Sequence, residues 1–147
     1  MKYLVILTVG TCLLLSSVPL MADQAADEAA IRNAVKQINE AWNKKDAKGM
    51  ASGLIENFEN WPGKRKGRKE LSEYWASVKG QGKQLDEIGI IFVTPDVAIF
   101  KERVELTGMF DAAGKPLPPR KTLEAWVVVK KNGKWMGAAF FQRTIEE

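Results

Sequence analysis

The chain has 147 residues and a formal net charge of +4, and 27% of its residues are charged and 46% hydrophobic. It contains no histidine and a single cysteine, Cys12. This composition excludes Ser-His and Cys-His nucleophilic pairs and the usual zinc sites, which need imidazole or thiolate ligands. Any acid or base must therefore be Asp, Glu, Lys or Tyr. We expect no cofactor, and so mild a positive charge does not indicate a nucleic-acid partner.

Residues 1–22 have the pattern of a secretory signal. An apolar run from Leu4 to Leu15 is followed by small and helix-breaking residues, and at about a dozen residues this run is short of the roughly 20 that a membrane span needs. We expect cleavage after residue 22, which leaves 23–147 as one exported domain, periplasmic or secreted, without a membrane span. Pro19 argues against a retained anchor because it interrupts the segment. Cys12 lies inside the apolar run rather than at its end, which argues against lipidation.

The first half of the exported segment shows helical spacing. From Asp27 onward, apolar residues recur at steps of three and four, which predicts a first helix. Asp46 is a typical N-cap for a second helix from Ala47 to about Leu54, which two glycines weaken. After a turn at Pro62-Gly63, a third helix places four large side chains on one face, namely Leu71, Tyr74, Trp75 and Val78.

In the second half of the chain, apolar and polar residues alternate as they do in β-strands. Asn132-Gly133 is the strongest short hairpin signal in the sequence, and residues 55–61 fit a short edge strand or an irregular stretch. We expect four long strands at about 83–93, 97–110, 120–131 and 134–145. Helices packed on a strongly curved antiparallel sheet give an α+β domain that encloses an apolar space.

Three segments occur in order along the chain: Ala41-Trp42-Asn43-Lys44-Lys45-Asp46, Gly67-Arg68-Lys69-Glu70-Leu71 and Asn132-Gly133-Lys134-Trp135. Together they resemble the nuclear transport factor 2-like (NTF2-like) superfamily, in particular its small bacterial SnoaL-like and ketosteroid isomerase-like members. The resemblance implies a cone-shaped fold in which three helices close on a bent sheet, with a pocket at the open end and frequent homodimers. It does not fix the function, because this fold serves many functions.

Two departures from the family pattern bear on the chemistry. In isomerase-like relatives an acidic residue just before the proline of the Pro-Gly turn serves as base, whereas Trp61 stands at that position here. Many relatives also carry a histidine near the end of the last strand, where this chain reads Ala139-Phe140-Phe141-Gln142-Arg143. A tryptophan cannot abstract a proton, so isomerase chemistry cannot be transferred from the resemblance alone.

Glu102 and Glu124 are the next candidates for an acid or base. Each shares a strand face with apolar residues, and a glutamate that projected from this face toward the pocket would have a raised pKa. A pairing with Arg103, Arg120 or Arg143 on a solvated or dimer-facing surface accounts for both glutamates equally well. Arg120 also belongs to a residue pair that recurs in the family and that either holds a ligand oxygen or braces the sheet.

Aromatic side chains are spread over both halves of the chain and are suited to coat a ligand site. Trp42 and Trp75 lie on helix faces aimed at the sheet, so they are expected to pack in the core. The residues expected to contact a ligand are Trp61, Tyr74, Arg120, Glu124, Phe141 and Arg143.

The segment Lys64-Arg65-Lys66-Gly67-Arg68-Lys69 places five positive charges where a loop enters the third helix. Cations at this position oppose the helix dipole, so an anionic partner is one interpretation. A solvated loop also tolerates such a cluster, and the sequence favours this simpler interpretation.

Three functional hypotheses follow from these observations. The first is an exported protein whose apolar pocket binds a small apolar or amphipathic molecule, positioned by polar groups among Glu102, Arg120, Glu124 and Arg143. The second is an isomerase, dehydratase or cyclase with Glu124 or Glu102 as general base and Tyr74 as hydrogen-bond donor to a developing oxyanion. The third is an interaction module that docks or dimerises through its outer sheet face. A homodimer is compatible with all three.

Overall fold

The structure, a computed structural model, describes residues 18–61 and 67–145, with the side chains of 23–60 and 67–145. Most of the expected signal, residues 64–66 of the basic segment and the side chain of Trp61 lie outside the described residues. The expectations placed on them therefore stay predictions. Within the described ranges, none of the helices combines the length and the apolar content that a membrane crossing requires.

Three helices precede the long strands, as the apolar spacing predicts: α1 (Val18–Asn43), α2 (Ala47–Ser52) and α3 (Arg68–Ser77). α1 begins upstream of Asp27, inside the segment expected to be cleaved, because the alanine-rich stretch around the expected cleavage point favours helix. The Asp46 side chain caps α2 by accepting a hydrogen bond from the backbone N–H of Gly49 at 2.9 Å. α2 ends at Ser52 because Leu54 already belongs to the first strand.

Five strands form one open sheet: β1 (Leu54–Trp61), β2 (Gln81–Thr94), β3 (Val97–Thr107), β4 (Arg120–Lys131) and β5 (Lys134–Thr144). Their order across the sheet is β1-β5-β4-β3-β2. The four long strands pair antiparallel, as expected, whereas β1 joins β5 in parallel, so the sheet is mixed at this one edge. The backbone of Asn132 and Gly133, with φ of 51° and 75°, is that of a type I′ turn and connects β4 to β5 as predicted.

The helices pack on the concave face of this curved, unclosed sheet. Register shifts within three of the strand pairs add bulges, which bend strands. Every second residue of β3 and β4 is buried on the inner face, including Phe100 and Trp126. α1 covers this face with Ile31, Val35 and Ile38, each at most 1% exposed. Removal of these side chains from water supplies most of the energy that joins the two layers.

Asn43, the last residue of α1, fixes the helix to the beginning of β2. Its Nδ2 donates a hydrogen bond to the carbonyl oxygen of Gly82 at 2.8 Å, and its Oδ1 accepts one from the Gly82 N–H at 2.9 Å. A glycine suits this position because a Cβ atom there would lie 2.8 Å from the ring of Trp42. The two bonds form a clamp that sets the spacing between α1 and the edge of the sheet.

Replacing Asn43 by Ala removes both bonds of the clamp. We expect the free energy of unfolding, measured by urea titration, to fall by about 1–3 kcal/mol, because the partly buried polar groups of Gly82 lose their partner. Asn33→Ala is the matched control, since Asn33 is exposed on the same helix, and it should change this energy by less than about 0.5 kcal/mol. Equal effects of the two substitutions would show that the clamp contributes nothing.

Candidate functional site

A cavity of about 390 Å³ lies between α1, α3 and the concave face of the sheet. Its volume falls within the range of roughly 300–1,000 Å³ that is typical of small-molecule sites. Each strand contributes to the wall, with Asn60 from β1, Gln84 from β2, Val104 from β3, Glu124 from β4 and Phe140 from β5. The interior that the helices close is therefore hollow.

One part of the cavity wall is aromatic. The rings of Trp75 and Phe140 meet edge to face with centroids 5.7 Å apart, and the centroid of Trp126 lies 4.5 Å from that of Phe140. Phe58 is fully buried and packs against both tryptophans, with centroid distances of 5.7 and 6.2 Å. Trp42 and Trp75, which the sequence assigned to the core, also line the cavity.

Two buried glutamates stand side by side on the inner face of the sheet. Glu102 in β3 and Glu124 in β4 are directly opposite each other in the antiparallel register, and only 1% and 5% of their surfaces are exposed. Opposite residues in such a pair have Cα atoms about 4.5–5.5 Å apart. Strand alternation places both glutamates here, because each shares its face with buried apolar neighbours such as Phe100 and Trp126.

Glu124 lines the cavity and is held by two hydrogen bonds. Its Oε1 accepts one from Nε2 of Gln142 at 2.8 Å and one from the hydroxyl group of Thr122 at 3.1 Å. Burial raises the pKa of Glu124 to about 7; the charge of Glu102 acts in the same direction, and the two hydrogen bonds oppose it. A carboxyl group with this pKa gains and loses its proton near neutral pH, where general acids and bases work best.

Glu102 lies next to Glu124 and is itself held from two sides. Its Oε1 accepts hydrogen bonds from Nδ2 of Asn39 at 3.0 Å and from the indole N–H of Trp126 at 3.3 Å. Its Oε2 is buried and has no hydrogen-bond partner in the described part of the chain. Burial is the main cause that raises the pKa of Glu102. Glu102 also acts on its neighbour, because its charge helps to raise the pKa of Glu124.

Arg120 brings a positive charge to the same wall. It is the first residue of β4 and lines the cavity. Its Nε is buried and, within the described ranges, makes no hydrogen bond. Glu124 lies four residues further along the strand, so the two Cα atoms are about 13 Å apart at roughly 3.3 Å per residue. The carboxyl and guanidinium groups therefore arise from separate points along the wall.

The structure brings three of the expected site residues, Tyr74, Arg120 and Glu124, to the cavity wall. Glu102 stands opposite Glu124 in the sheet without lining the cavity. Phe141, at 43% exposure, and the exposed Arg143 do not line it. Trp61 ends β1, and the position of its side chain lies outside the described residues. The roles of all these residues in binding or catalysis stay predictions.

A bulge explains the placement of Phe141 and Arg143. The register between β4 and β5 shifts at Val127 and Val128, where β5 contains one extra residue. The shift changes which residues of β5 face inward, so Phe140 rather than Phe141 stands opposite the inward-facing Trp126. The inner face of β5 beyond the bulge therefore presents an aromatic ring and then the amide of Gln142.

The alternative, in which Glu102 and Glu124 form surface ion pairs with arginines, is wrong. Arg103 binds Asp86 through both Nε and Nη2. Glu102 and Glu124 are instead buried and bonded to neutral groups. Their environment is that of a site interior rather than a solvated face.

Sequence reasoning did not assign Asn39, Thr122 or Gln142 to the carboxyl network. Asn39 follows Val35 by four residues on the buried face of α1, and a polar residue on an apolar face is the signal that marks it. Thr122 precedes Glu124 by two residues and is fully buried, so alternation along β4 places it on the same face. Gln142 lies beyond the bulge in β5, which the sequence does not reveal.

The described side chains include no cluster of metal ligands. Among the side chains of 23–60 and 67–145, no group of three or more acidic, histidine or cysteine residues is arranged to hold an ion. The cavity instead presents a carboxyl group, a guanidinium group and aromatic surface. This set is suited to hydrogen bonding and proton transfer with an organic molecule.

No family model matches the chain, and no curated protein matches it. Solved structures match most of its length. Hexachlorocyclohexane dehydrochlorinase LinA-type3 from Novosphingobium barchaimii is 16% identical, with a TM-score of 0.74 over 86% of this chain and 91% of that one. A ketosteroid isomerase-like protein from Erwinia carotovora is 20% identical, with a TM-score of 0.66 over 82% and 98%. An NTF2-like protein of unknown function from Shewanella oneidensis is 16% identical, with a TM-score of 0.59 over 78% and 96%.

These structural similarities confirm the fold that the sequence resemblance implies. The chain has the NTF2-like cone, with three helices on an open, curved sheet. Proteins of this fold include ones named after enzymes and ones of unknown function. The function of this chain must therefore be argued from its own cavity.

The raised pKa of Glu124 makes stability depend on pH. The folded protein holds this proton up to about pH 7, whereas an ordinary glutamate releases it near 4.5. The stabilisation that comes from this raised pKa is therefore fully present below pH 4.5 and lost as the pH rises through 7. It amounts to about 3 kcal/mol of unfolding free energy, at roughly 1.4 kcal/mol per pKa unit. Glu124→Gln removes this titration. We expect the unfolding free energy of the wild type, relative to the variant, to fall over this window in urea titrations.

A wild-type-minus-variant difference that stays constant across that window would contradict a buried, protonated Glu124. A difference that increases with pH would also do so, because it would mean that folding lowers the pKa of this carboxyl group.

Proposed function

We propose that the protein binds a small, largely apolar organic molecule in its cavity and holds an oxygen atom of that molecule through Glu124. The observation that carries this proposal is the position of a buried carboxyl group, with a pKa of about 7, in the wall of a partly aromatic cavity. Small-molecule sites are generally apolar spaces with a few polar groups that orient the ligand. A core packed for stability alone leaves few voids larger than a water molecule.

Glu124 has an oxygen atom available for a ligand. Both hydrogen bonds from the protein go to Oε1, and in the described part of the chain none goes to Oε2. The protonated carboxyl group donates to a carbonyl or hydroxyl oxygen, and the ionised group accepts from a hydroxyl or amine. Thr122 and Gln142 hold the group in one orientation, so its free oxygen is positioned before a ligand arrives.

Export and homodimerisation form part of the same proposal. The signal-like pattern of residues 1–22 supports export. The described residues that line the cavity all follow Asp23, so cleavage would leave them in the mature chain. Dimers are frequent in the family that the sequence resembles, and dimerisation is compatible with a cavity enclosed within one chain.

Binding of cyclic ketones such as α-tetralone and 2-decalone tests the proposal, with quenching of the tryptophans in the cavity wall as readout. We expect saturable binding that weakens about tenfold between about pH 6 and pH 8, because the ionised Glu124 can no longer donate to a carbonyl oxygen. Glu124→Gln should abolish this pH dependence. Glu73→Gln, exposed on α3 outside the cavity lining, should behave like the wild type.

Absence of saturable binding by any such ketone or its alcohol would overturn the proposal. Binding by the wild type with the pH profile of Glu124→Gln would show that the ligand does not contact this carboxyl group.

A second candidate is an enzyme that transfers protons. A pKa of about 7 suits a general base near neutral pH, and two of the similar structures are named as a dehydrochlorinase and as isomerase-like. In this candidate Glu124 takes a proton from a carbon atom of the substrate. The proton then returns to another carbon, or a leaving group departs with its bonding electrons. Tyr74 lines the same cavity and is the candidate donor to a developing oxyanion.

Exchange of the α-hydrogens of the same ketones for solvent deuterium, followed by NMR in D2O, separates the two candidates, because a base that takes a proton from this carbon returns a deuteron to it. Exchange that disappears in Glu124→Gln, while binding is retained, favours the enzyme. Binding without accelerated exchange in the wild type favours the binding protein.

A further inference from the structure

Arg120 also lines the cavity. The proposed binding of a ligand oxygen atom to Glu124 does not involve it. The Nε of Arg120 is buried without a hydrogen-bond partner among the described residues, although a buried donor that is left unsatisfied destabilises a fold. Arg120 also has no ion pair within 18–61 and 67–145. The other lining cation, Lys36, lies 3.9 Å from Glu40 on the exposed side of α1.

The apolar residues near Arg120 strengthen the attraction between its guanidinium group and an anion. Leu106 stands opposite it in β3 and is 3% exposed, and Met109 and Val78 also line the cavity. A cation beside apolar side chains is poorly screened by water, so its attraction to a ligand anion is greater than on an open surface. The Nε–H of this guanidinium group has no partner among the described residues and is suited to a negatively charged group that enters the cavity.

We propose that the ligand is an amphipathic monocarboxylic acid whose carboxylate binds Arg120. This inference rests on the proposed function, and it adds a second polar contact to the one at Glu124. The carboxylate matches the planar fork of a guanidinium group, which binds it through two parallel hydrogen bonds. The apolar body of the ligand then lies against Trp42, Trp75 and Phe140.

Charge on the rest of the wall favours a single negative charge over a double one. Glu40 and Glu124 also line the cavity, and either would repel a phosphate dianion when ionised. A monocarboxylate that extends from Arg120 toward Glu124 spans backbone positions about 13 Å apart. Such a molecule keeps its charge away from the two buried carboxyl groups and presents its other end to Glu124.

Matched acids and amides test the inference. Octanoate, phenylacetate and 2-naphthylacetate are each compared with their primary amides by calorimetry on the wild type. We expect at least one acid to bind about tenfold or more tighter than its amide, because the amide lacks the charge that strengthens the bonds to Arg120. The affinity of the acid should fall as salt increases, and that of the amide should not.

Arg120→Gln should abolish the preference for the acid, and Arg120→Lys should retain part of it because the charge remains without the fork. Arg68→Gln, exposed at the start of α3 and outside the cavity lining, is the matched control and should keep the full preference. Near-UV circular dichroism and thermal unfolding of each variant report whether it is folded. The amide also serves as an internal probe, since a folded Arg120→Gln protein should still bind it.

Each remaining outcome decides the question. Equal binding of acid and amide by the wild type, or a preference that survives in Arg120→Gln, overturns the carboxylate and leaves the proposed function in place. Tighter binding of octyl phosphate than of octanoate overturns the choice of a carboxylate in favour of another anion. Binding of neither acids nor amides overturns this inference, and the ketone titrations then decide separately whether the proposed function stands.

Discussion

Desolvation of two glutamates is the constraint on which the site depends. Glu102 and Glu124 stand opposite each other on the concave face, and the pairing of β3 with β4 keeps both away from bulk water. Burial disfavours the charged form of each carboxyl group and raises both pKa values. The protein thus places protonatable groups inside an apolar cone, and hydrogen bonds from Asn39 and Gln142 hold them in fixed orientations.

Large aromatic side chains contact one another across the cavity wall and keep the cavity open. Trp75, Trp126 and Phe140 contact each other edge to face or tilted, an arrangement that aromatic rings prefer. A void of this size forgoes dispersion contacts that a filled core would make. Natural sequences depart in this way from best packing mainly where function requires it. A ligand that filled the space would restore the missing contacts and satisfy Arg120 at the same time.

The sequence could predict what depends on local pattern. The limits of β4 and the type I′ turn after it follow from strand alternation and from Asn132-Gly133, and the inward direction of Glu102 and Glu124 follows from a period of two. It could not predict the bulge in β5, because one extra residue exchanges the roles of Phe140 and Phe141 without any change in residue type. The parallel pairing of β1 and the partners of the carboxyl groups depend on elements distant in the chain.

The most direct measurement is a titration of the Glu124 side chain itself. Carbon-13 labelling of glutamate, with Glu124→Gln to assign the signal, gives the apparent pKa of this carboxyl group in the folded protein. The account predicts a midpoint near 7, because the group is buried beside Glu102. A midpoint near the ordinary value of 4.5 in the intact fold would contradict it, since the carboxyl group would then be in contact with water and the cavity would lack the group on which its chemistry is argued.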